Sequence, residues 1–172
     1  MQIFLIGFMG SGKSFTAKAL SEILGKPYLD LDSYIEKKGG QSIATIFKFG
    51  GEHHFRQIEH KALNSVIKDF PNHIIATGGG TPMFHENLEL MKNSGLTVYL
   101  EAKTDLIAKR LDGSHDKRPL LQNATGESLR KVVESLIEPR KATYSNCHIA
   151  VEIDTDDTPV AKIIAHYVQS IT

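Results

Sequence analysis

Short apolar runs alternate along this chain with longer segments in which apolar residues recur at helical spacing. A short continuous apolar run is typical of a buried strand, and the longer spacing is typical of an amphipathic helix. The pattern predicts strands at 2–6, 28–31, 73–77, 97–100 and 148–152. It predicts helices at 13–24, 33–38, 42–47, 52–68, 85–91, 104–111, 127–144 and 159–169. Such alternation indicates an α/β fold with a mainly parallel sheet.

Two regions interrupt the alternation. Between the second and third predicted strands, about forty residues are helical, which is too many for a simple crossover. Residues 112–126 are polar, contain glycine and are broken by a proline. Long loops in compact domains often cover a site. We therefore expect one domain over 1–172, a helical substrate-binding insertion at about 32–68 and a mobile lid at about 112–126.

A phosphate-binding pattern joins the first predicted strand to the first predicted helix. Residues 7–14 read G-F-M-G-S-G-K-S, which matches G-x-x-x-x-G-K-S in the strand–loop–helix context that the motif requires. The glycines let backbone N–H groups converge, and the helix dipole adds positive potential. We expect Lys13 to reach the β- and γ-phosphates of ATP and the Ser14 hydroxyl to bind Mg²⁺. A phosphate cradle with a helical insertion and a lid is the anatomy of a small-molecule kinase, because a transferred phosphoryl group must be shielded from water.

Composition narrows the classes of function. Twenty basic residues balance twenty acidic ones, which argues against a nucleic-acid partner held by a basic surface. The single cysteine, Cys147, excludes an intramolecular disulfide. The N-terminal segment lacks the features of a secretory signal, and no apolar run approaches the ~20 residues needed to span a membrane. We expect a cytoplasmic protein without membrane or nucleic-acid partners. The eight histidines show no metal-binding spacing.

Two carboxylates end the second predicted strand. Alternation along that strand would place Asp30 and Asp32 on one side, at the edge where ligands bind in open α/β sheets. One could hold Mg²⁺, directly or through water, and the other could accept the proton of a substrate hydroxyl. The alternative is that Asp32 caps the helix predicted at 33–38 and is otherwise solvated.

Other candidates have weaker local signals. Arg56 and Glu59 share a helix face, and spacing alone favours a surface ion pair over a guanidinium oriented to capture a carboxylate. The glycines at 78–80 follow the third predicted strand, where they would allow close approach of a ligand or simply a sharp turn. Arg118 in the predicted lid could stabilise the transferring charge. Arg110 and Arg140 near helix ends are also explained by the helix dipole.

Together these segments resemble shikimate kinases. The resemblance spans essentially the whole chain and rests on the order and spacing of 7–14, Asp30-Leu31-Asp32, Phe55-Arg56-x-x-Glu59, Gly78-Gly79-Gly80, Arg118-Pro119-Leu120-Leu121 and Arg140-x-x-x-Tyr144. It implies a P-loop α/β/α fold with a five-stranded parallel sheet, a helical insertion and a lid. It also implies ATP-dependent phosphorylation of the shikimate 3-hydroxyl in the chorismate pathway.

The resemblance implies roles for specific residues. Its nucleotide site comprises Gly10, Ser11, Gly12, Lys13, Ser14, Phe15, Arg110 and Arg118. Its substrate site comprises Asp32, Arg56, Glu59, Gly78, Gly79, Gly80 and Arg140. Lys13, Asp32 and Arg118 would be catalytic, with Asp32 as base, and Glu59 would orient Arg56. Ser14 would bind Mg²⁺, and Asp30 would reach it through water.

Three positions depart from the family pattern. Phe15 replaces a small hydroxyl residue, Thr81-Pro82-Met83 replaces the small apolar residues that usually follow the glycines, and Pro139 precedes Arg140.

Alternatives with the same phosphate loop are a kinase for another carboxylated polyol, such as gluconate, and a nucleotide-binding switch without an acceptor. A degenerate family member kept for regulation is a further alternative, against which the presence of Lys13, Asp32 and Arg118 argues. We expect a monomer.

Overall fold

The computed structural model describes residues 1–112 and 124–171. Its strands are β1 (Gln2–Ile6), β2 (Tyr28–Asp30), β3 (Ile74–Ala76), β4 (Gly95–Ala102) and β5 (Ile149–Ile153). They form one sheet in the order β2-β3-β1-β4-β5, and every neighbouring pair is parallel. The prediction of a five-stranded parallel sheet is confirmed. β4 is longer than predicted, and β2 ends one residue earlier.

The helices follow the predicted order. Those predicted at 13–24 and 104–111 have the predicted ends, and the ends of the others differ. The helices are α1 (Lys13–Leu24), α2 (Leu31–Gly39), α3 (Ile43–Asp69), α4 (Asn87–Ser94), α5 (Thr104–Leu111), α6 (Gly126–Ile137), α7 (Lys141–Ser145) and α8 (Val160–Ser170). The helices predicted at 42–47 and 52–68 form α3, which is interrupted by the non-helical backbone of Gly51 at φ 71° and ψ 179°. Glycine tolerates that conformation because it has no Cβ.

The single helix predicted at 127–144 is wrong. α6 ends at Ile137, a 3₁₀ turn follows at Glu138–Arg140, and α7 begins at Lys141. Pro139 lies in that turn. Proline lacks an N–H donor and its ring clashes with the preceding helical turn, so an α-helix cannot continue unbroken through it.

Two apolar layers enclose the sheet. Along β1, Ile3 and Leu5 belong to the cluster formed with α1 and α8, whereas Phe4 and Ile6 belong to the cluster formed with α3, α4 and α6. All five residues of β1 are buried. Successive side chains of a strand point to opposite faces, so a strand covered on both faces becomes a continuous apolar run. The result is the predicted three-layer α/β/α arrangement.

Parallel strands bring their carboxyl ends to one edge of the sheet. The loop after β1, the start of α2 after β2 and the glycines after β3 all lie at that edge. Most of the lid predicted at 112–126, including Arg118, lies outside the described residues. Within 1–112 and 124–171, no helix has the length and apolar character needed to cross a membrane.

Candidate active site

The loop between β1 and α1 forms a cradle of backbone N–H groups. Gly7, Gly10 and Gly12 have φ values of 142°, 79° and 97°, which L-residues rarely adopt. The ammonium of Lys13 is buried and donates to the carbonyl oxygens of Gly7 and Phe8, each at 2.8 Å. The geometry holds the Lys13 cation at the mouth of the loop, where phosphate oxygens would approach.

The Ser11 hydroxyl gives this cradle an unsatisfied donor. Ser11 is 1% exposed, and its Oγ has no hydrogen-bond partner within the described part of the chain. Buried hydroxyls without partners are uncommon in folded proteins and call for a specific explanation. An oxygen of a bound phosphate would supply the missing acceptor.

A cavity of about 360 Å³ opens over the loop. The residues that line it come from the loop, from the ends of β2 and β3 and from α5, and they are Met9, Gly10, Gly12, Lys13, Ser14, Phe15, Asp30, Asp32, Thr77, Gly78, Gly79 and Arg110. The structure therefore brings together most of the residues that the sequence assigned to nucleotide, metal and substrate.

The metal candidates are in direct contact. The Ser14 hydroxyl donates to Asp30 Oδ2 at 2.5 Å, and Asp30 Oδ1 accepts from the backbone N–H of Ser33 at 3.1 Å. No group of three His, Cys, Asp or Glu side chains suited to a metal occurs among residues 1–112 and 124–171. The hydroxyl of Ser14 and the carboxylate of Asp30 are oxygen donors that fit Mg²⁺, which takes few protein oxygens and completes its shell with phosphates and water.

The expectation that Asp30 and Asp32 lie together on a strand is wrong. β2 ends at Asp30, whose side chain caps α2, and Asp32 lies in the first turn of that helix. The capped helix is favoured over a longer strand because the Asp30 carboxylate accepts from a helix N–H that would otherwise be unpaired. The alternative role of Asp32 as the helix cap is wrong as well. Both carboxylates nevertheless face the same cavity.

The carboxyl group of Asp32 has a raised pKa. Burial raises its pKa from 3.8 to about 6, and the negative charges of Asp30, Glu59 and Glu36 add to that effect, whereas Lys13 opposes it. Burial and like charges both disfavour the ionised form of a carboxyl group. A carboxylate of this pKa is mostly ionised at neutral pH and accepts a proton more readily than an ordinary aspartate does.

Arg56 and Glu59 form a buried pair rather than a surface one. Arg56 Nη1 donates to Glu59 Oε2 at 2.8 Å, and the Glu59 side chain is only 1% exposed. Glu59 Oε1 accepts from the Thr81 hydroxyl at 2.7 Å. The pair therefore has fixed geometry, unlike an exposed i,i+3 pair of two mobile side chains.

The remaining edge of the Arg56 guanidinium is also partnered. Its Nε and Nη2 donate to Glu52 Oε1 at 3.3 and 3.0 Å, and its Cζ lies 4.4 Å from the ring centroid of Phe84. The Glu52 side chain is 58% exposed. Sequence reasoning missed both residues; the i,i+4 spacing could have indicated Glu52, but no local signal points to Phe84.

The three glycines are needed for close approach, not for an unusual backbone conformation. A Cβ at Gly78 would lie 3.0 Å from Glu59 Oε1 and 3.1 Å from Asp32 Oδ1, and one at Gly80 would overlap the Arg56 guanidinium. None of the three appears among the positive-φ glycines. Their missing side chains let β3 end against the charged groups of the site.

Arg140 lies beside Phe8 of the phosphate loop. Its guanidinium stands 5.5 Å from the ring centroid of Phe8. The nearby Tyr144 is fully buried and donates to the carbonyl oxygen of Gly79 at 2.5 Å. Burial raises the pKa of Tyr144, and the charges of Arg140 and Arg56 oppose this effect. Both arginines therefore lie within electrostatic reach of one phenol hydroxyl.

A second cavity, of about 240 Å³, continues the first beyond Phe15 and Arg110. Arg110 spans its wall, since Nη1 donates to the carbonyl oxygen of Gly10 at 3.0 Å and Nε donates to Asp156 Oδ1 at 2.8 Å. Arg110 lowers the pKa of Asp156. The segment around Asp156 lines this cavity together with α1 and α8. No site residue in that segment is predicted from the sequence.

Comparisons with known proteins identify the family. The shikimate kinase family profile matches residues 9–172. This chain belongs to the shikimate kinase family. Relatives bearing that name include proteins of Parabacteroides distasonis, 38% identical over 89% of this chain and 88% of the relative, and Azobacteroides pseudotrichonymphae, 40% identical over 86% and 87%.

Solved structures of shikimate kinases are also similar to this chain. The shikimate kinase of Acinetobacter baumannii in complex with shikimate has a TM-score of 0.89 at 32% identity, covering 99% of this chain and 94% of that one. The shikimate kinase of Bacteroides thetaiotaomicron has a TM-score of 0.88 at 32% identity, covering 99% and 97%. Membership in the shikimate kinase family makes this chain a P-loop kinase, and the prediction of that enzyme class is confirmed.

Proposed function

We propose that this chain transfers the γ-phosphoryl group of ATP to the 3-hydroxyl of shikimate, giving shikimate 3-phosphate and ADP in the chorismate pathway. The observation that carries the proposal is the shared cavity of Lys13 and Asp32, a phosphate-facing cation and a carboxylate of raised pKa. The buried Arg56–Glu59 pair, whose Glu59 lies next to Gly78 of the cavity wall, would supply a site for the carboxylate that shikimate carries.

In this proposal the nucleotide lies along the phosphate loop. Its phosphates accept from the loop N–H groups, from the Ser11 hydroxyl and from Lys13, and its base and ribose occupy the cavity beside Phe15 and Arg110. Mg²⁺, held by Ser14 and through water by Asp30, would neutralise charge on the phosphates. On the resemblance alone, we assign Arg118 to the transferring phosphoryl group.

Asp32 acts on the acceptor. It accepts a hydrogen bond from the 3-hydroxyl and takes its proton as the oxygen bonds to phosphorus, while Lys13 stabilises the charge that develops on the phosphate oxygens. Arg56 and Arg140 bind the carboxylate of shikimate, and Glu59 fixes the orientation of Arg56. On the resemblance alone, we assign the backbone amides of Gly79 and Gly80 to contacts with the ring of shikimate.

A coupled ADP-release assay tests the proposal. Purified, folded protein is assayed with ATP and Mg²⁺ in the presence of shikimate, of gluconate or of no acceptor. We expect ADP release that depends on shikimate, with formation of shikimate 3-phosphate verified by mass spectrometry. Turnover with gluconate in place of shikimate would overturn the proposal in favour of another polyol kinase. ATP hydrolysis that is independent of the acceptor would overturn it in favour of a nucleotide switch.

A monomer in the cytoplasm, without membrane or nucleic-acid partners, is part of the same proposal.

A further inference from the structure

The buried carboxylate of Glu59 has a second partner besides Arg56. Glu59 is 0% exposed, and its Oε1 accepts from the hydroxyl of Thr81, which is also 0% exposed, at 2.7 Å. A buried charge is costly unless its oxygens are paired and hydrogen-bonded. Thr81 thus fixes the oxygen of Glu59 that Arg56 does not use.

Thr81 is itself fixed by the adjacent helices. Its backbone N–H donates to the carbonyl oxygen of Gly78 at 3.1 Å, and its carbonyl oxygen accepts from Asn87 Nδ2 at 2.9 Å. Asn87 is fully buried, and its Oδ1 lies 2.6 Å from His60 Nδ1. Since His60 follows Glu59 in α3, these contacts close a ring between α3, the 3₁₀ turn at Thr81–Met83 and the start of α4.

The same turn also touches the guanidinium. A Cβ at Gly80 would overlap Arg56, so the backbone just before Thr81 forms a wall against that side chain. The 3₁₀ turn therefore restrains Arg56 in two ways. The backbone of Gly80 packs against the guanidinium, and Thr81 hydrogen-bonds to Glu59, which pairs with the guanidinium. Thr81 does not line the 360 Å³ cavity, and it is too buried to contact a substrate.

We propose that Thr81 is a positioning residue for the carboxylate-binding site: its hydroxyl, acting through Glu59, holds Arg56 in the orientation that binds the carboxylate of the acceptor. This inference rests on the proposed function. It gives a role to a position at which the chain departs from the family pattern, and it predicts that the hydroxyl serves acceptor binding and not nucleotide binding. The effect is on orientation, because a guanidinium fork binds a carboxylate well only when the two planes are aligned.

The test compares Thr81→Val with Thr81→Ser. Valine keeps the shape and removes the donor, and serine keeps the donor. For Thr81→Val we expect the KM for shikimate to rise about tenfold, with the KM for ATP within about twofold of the wild-type value. Thr81→Ser should restore the KM for shikimate to within about twofold of wild type.

Thr97→Val provides the matched control. Thr97 is also 0% exposed, and its Oγ1 lies 2.9 Å from His148 Nδ1, but it is in β4, outside the candidate site. It should lose stability with both KM values unchanged. In the Glu59→Gln background, Thr81→Val should add little further increase in the KM for shikimate, because the two residues act through one contact.

The outcomes separate the inference from the proposed function. Absence of shikimate turnover by the wild-type protein would overturn the proposed function. Wild-type turnover combined with an unchanged KM for shikimate in folded Thr81→Val, or with an equal rise in both KM values, would overturn only the role of Thr81. If Thr81→Val does not fold, Thr81→Ala replaces it. Failure of both to fold beside a folded Thr97→Val would mean that the hydroxyl serves the fold alone, which also overturns the inference.

Discussion

Replacing Asp32 with asparagine should stabilise the folded chain while removing most of its kinase activity. Burial and neighbouring carboxylates raise the pKa of Asp32 from 3.8 to about 6. Between these values the folded state binds more protons than the unfolded state, so stability decreases as the pH rises. Above about pH 6 the ionised Asp32 therefore carries an unfavourable free energy that asparagine, which cannot ionise, does not carry.

The magnitude follows from the same two values. At ~1.36 kcal/mol per pKa unit, the difference between 3.8 and about 6 corresponds to ~3 kcal/mol. Asp32 is only half-buried, and solvent screens part of this energy. We therefore expect Asp32→Asn to increase the free energy of unfolding by about 1–2 kcal/mol at neutral pH. The increase should shrink as the pH falls through 6 and vanish below 3.8.

Urea denaturation at about pH 7.5 and about pH 4.5 measures the stability difference, and steady-state kinetics measures the activity. We expect kcat to fall by at least about two orders of magnitude. Glu22→Gln, on the exposed face of α1, is the control and should alter neither quantity. A destabilised Asp32→Asn at neutral pH would refute the electrostatic reasoning. A variant that changes KM alone would show that Asp32 binds the acceptor without taking its proton.

Three further changes probe the other parts of the site. Lys13→Ala removes the cation held at the phosphate loop and should lower kcat by about three orders of magnitude in the ADP-release assay; near-normal turnover would exclude the proposed role. Arg56→Lys keeps the charge but loses the fork, so the KM for shikimate should rise about tenfold or more while the KM for ATP stays constant; an equal change in both would contradict carboxylate binding. Phe15 is 81% exposed and lines both cavities, so Phe15→Thr should raise the KM for ATP a few-fold without lowering the melting temperature; an unaltered KM for ATP would assign Phe15 no part in nucleotide binding.

Local chemistry made the phosphate loop and the buried strands predictable. Glycines with a fixed spacing before Lys13 and Ser14 have few meanings, and an apolar run such as Ile3–Ile6 indicates a strand covered on both faces. The sequence 29–32 reads Leu-Asp-Leu-Asp, which suits both a strand and a capped helix start. The hydrogen bond from Ser33 N–H to Asp30 favours the capped helix. The alternation of apolar and polar residues gives no information about such a side-chain hydrogen bond to the backbone.

Tertiary contacts account for what remained hidden. The spacing of Arg56 and Glu59 predicts that they are neighbours, but the burial of Glu59 depends on Thr81, which lies 22 residues further along the chain. The position of Phe84 over Arg56 depends on how the turn after β3 meets α3, and helical spacing carries no information about it. Pro139 lies inside the helix predicted at 127–144, and in the structure α6 ends two residues before it.

If Arg56 binds the acceptor as proposed, the contact between Glu52 and Arg56 has a consequence for selectivity. Without an acceptor, the Nε and Nη2 edge of Arg56 is already occupied by the exposed carboxylate of Glu52. An acid that uses this edge must displace Glu52, so binding replaces one carboxylate with another and the guanidinium keeps its charge partner throughout. The affinity for the acceptor would then reflect the difference between two similar ion pairs. We expect that exchange to favour ready release of the phosphorylated product and to disfavour neutral analogues, which have no charge to offer in place of Glu52.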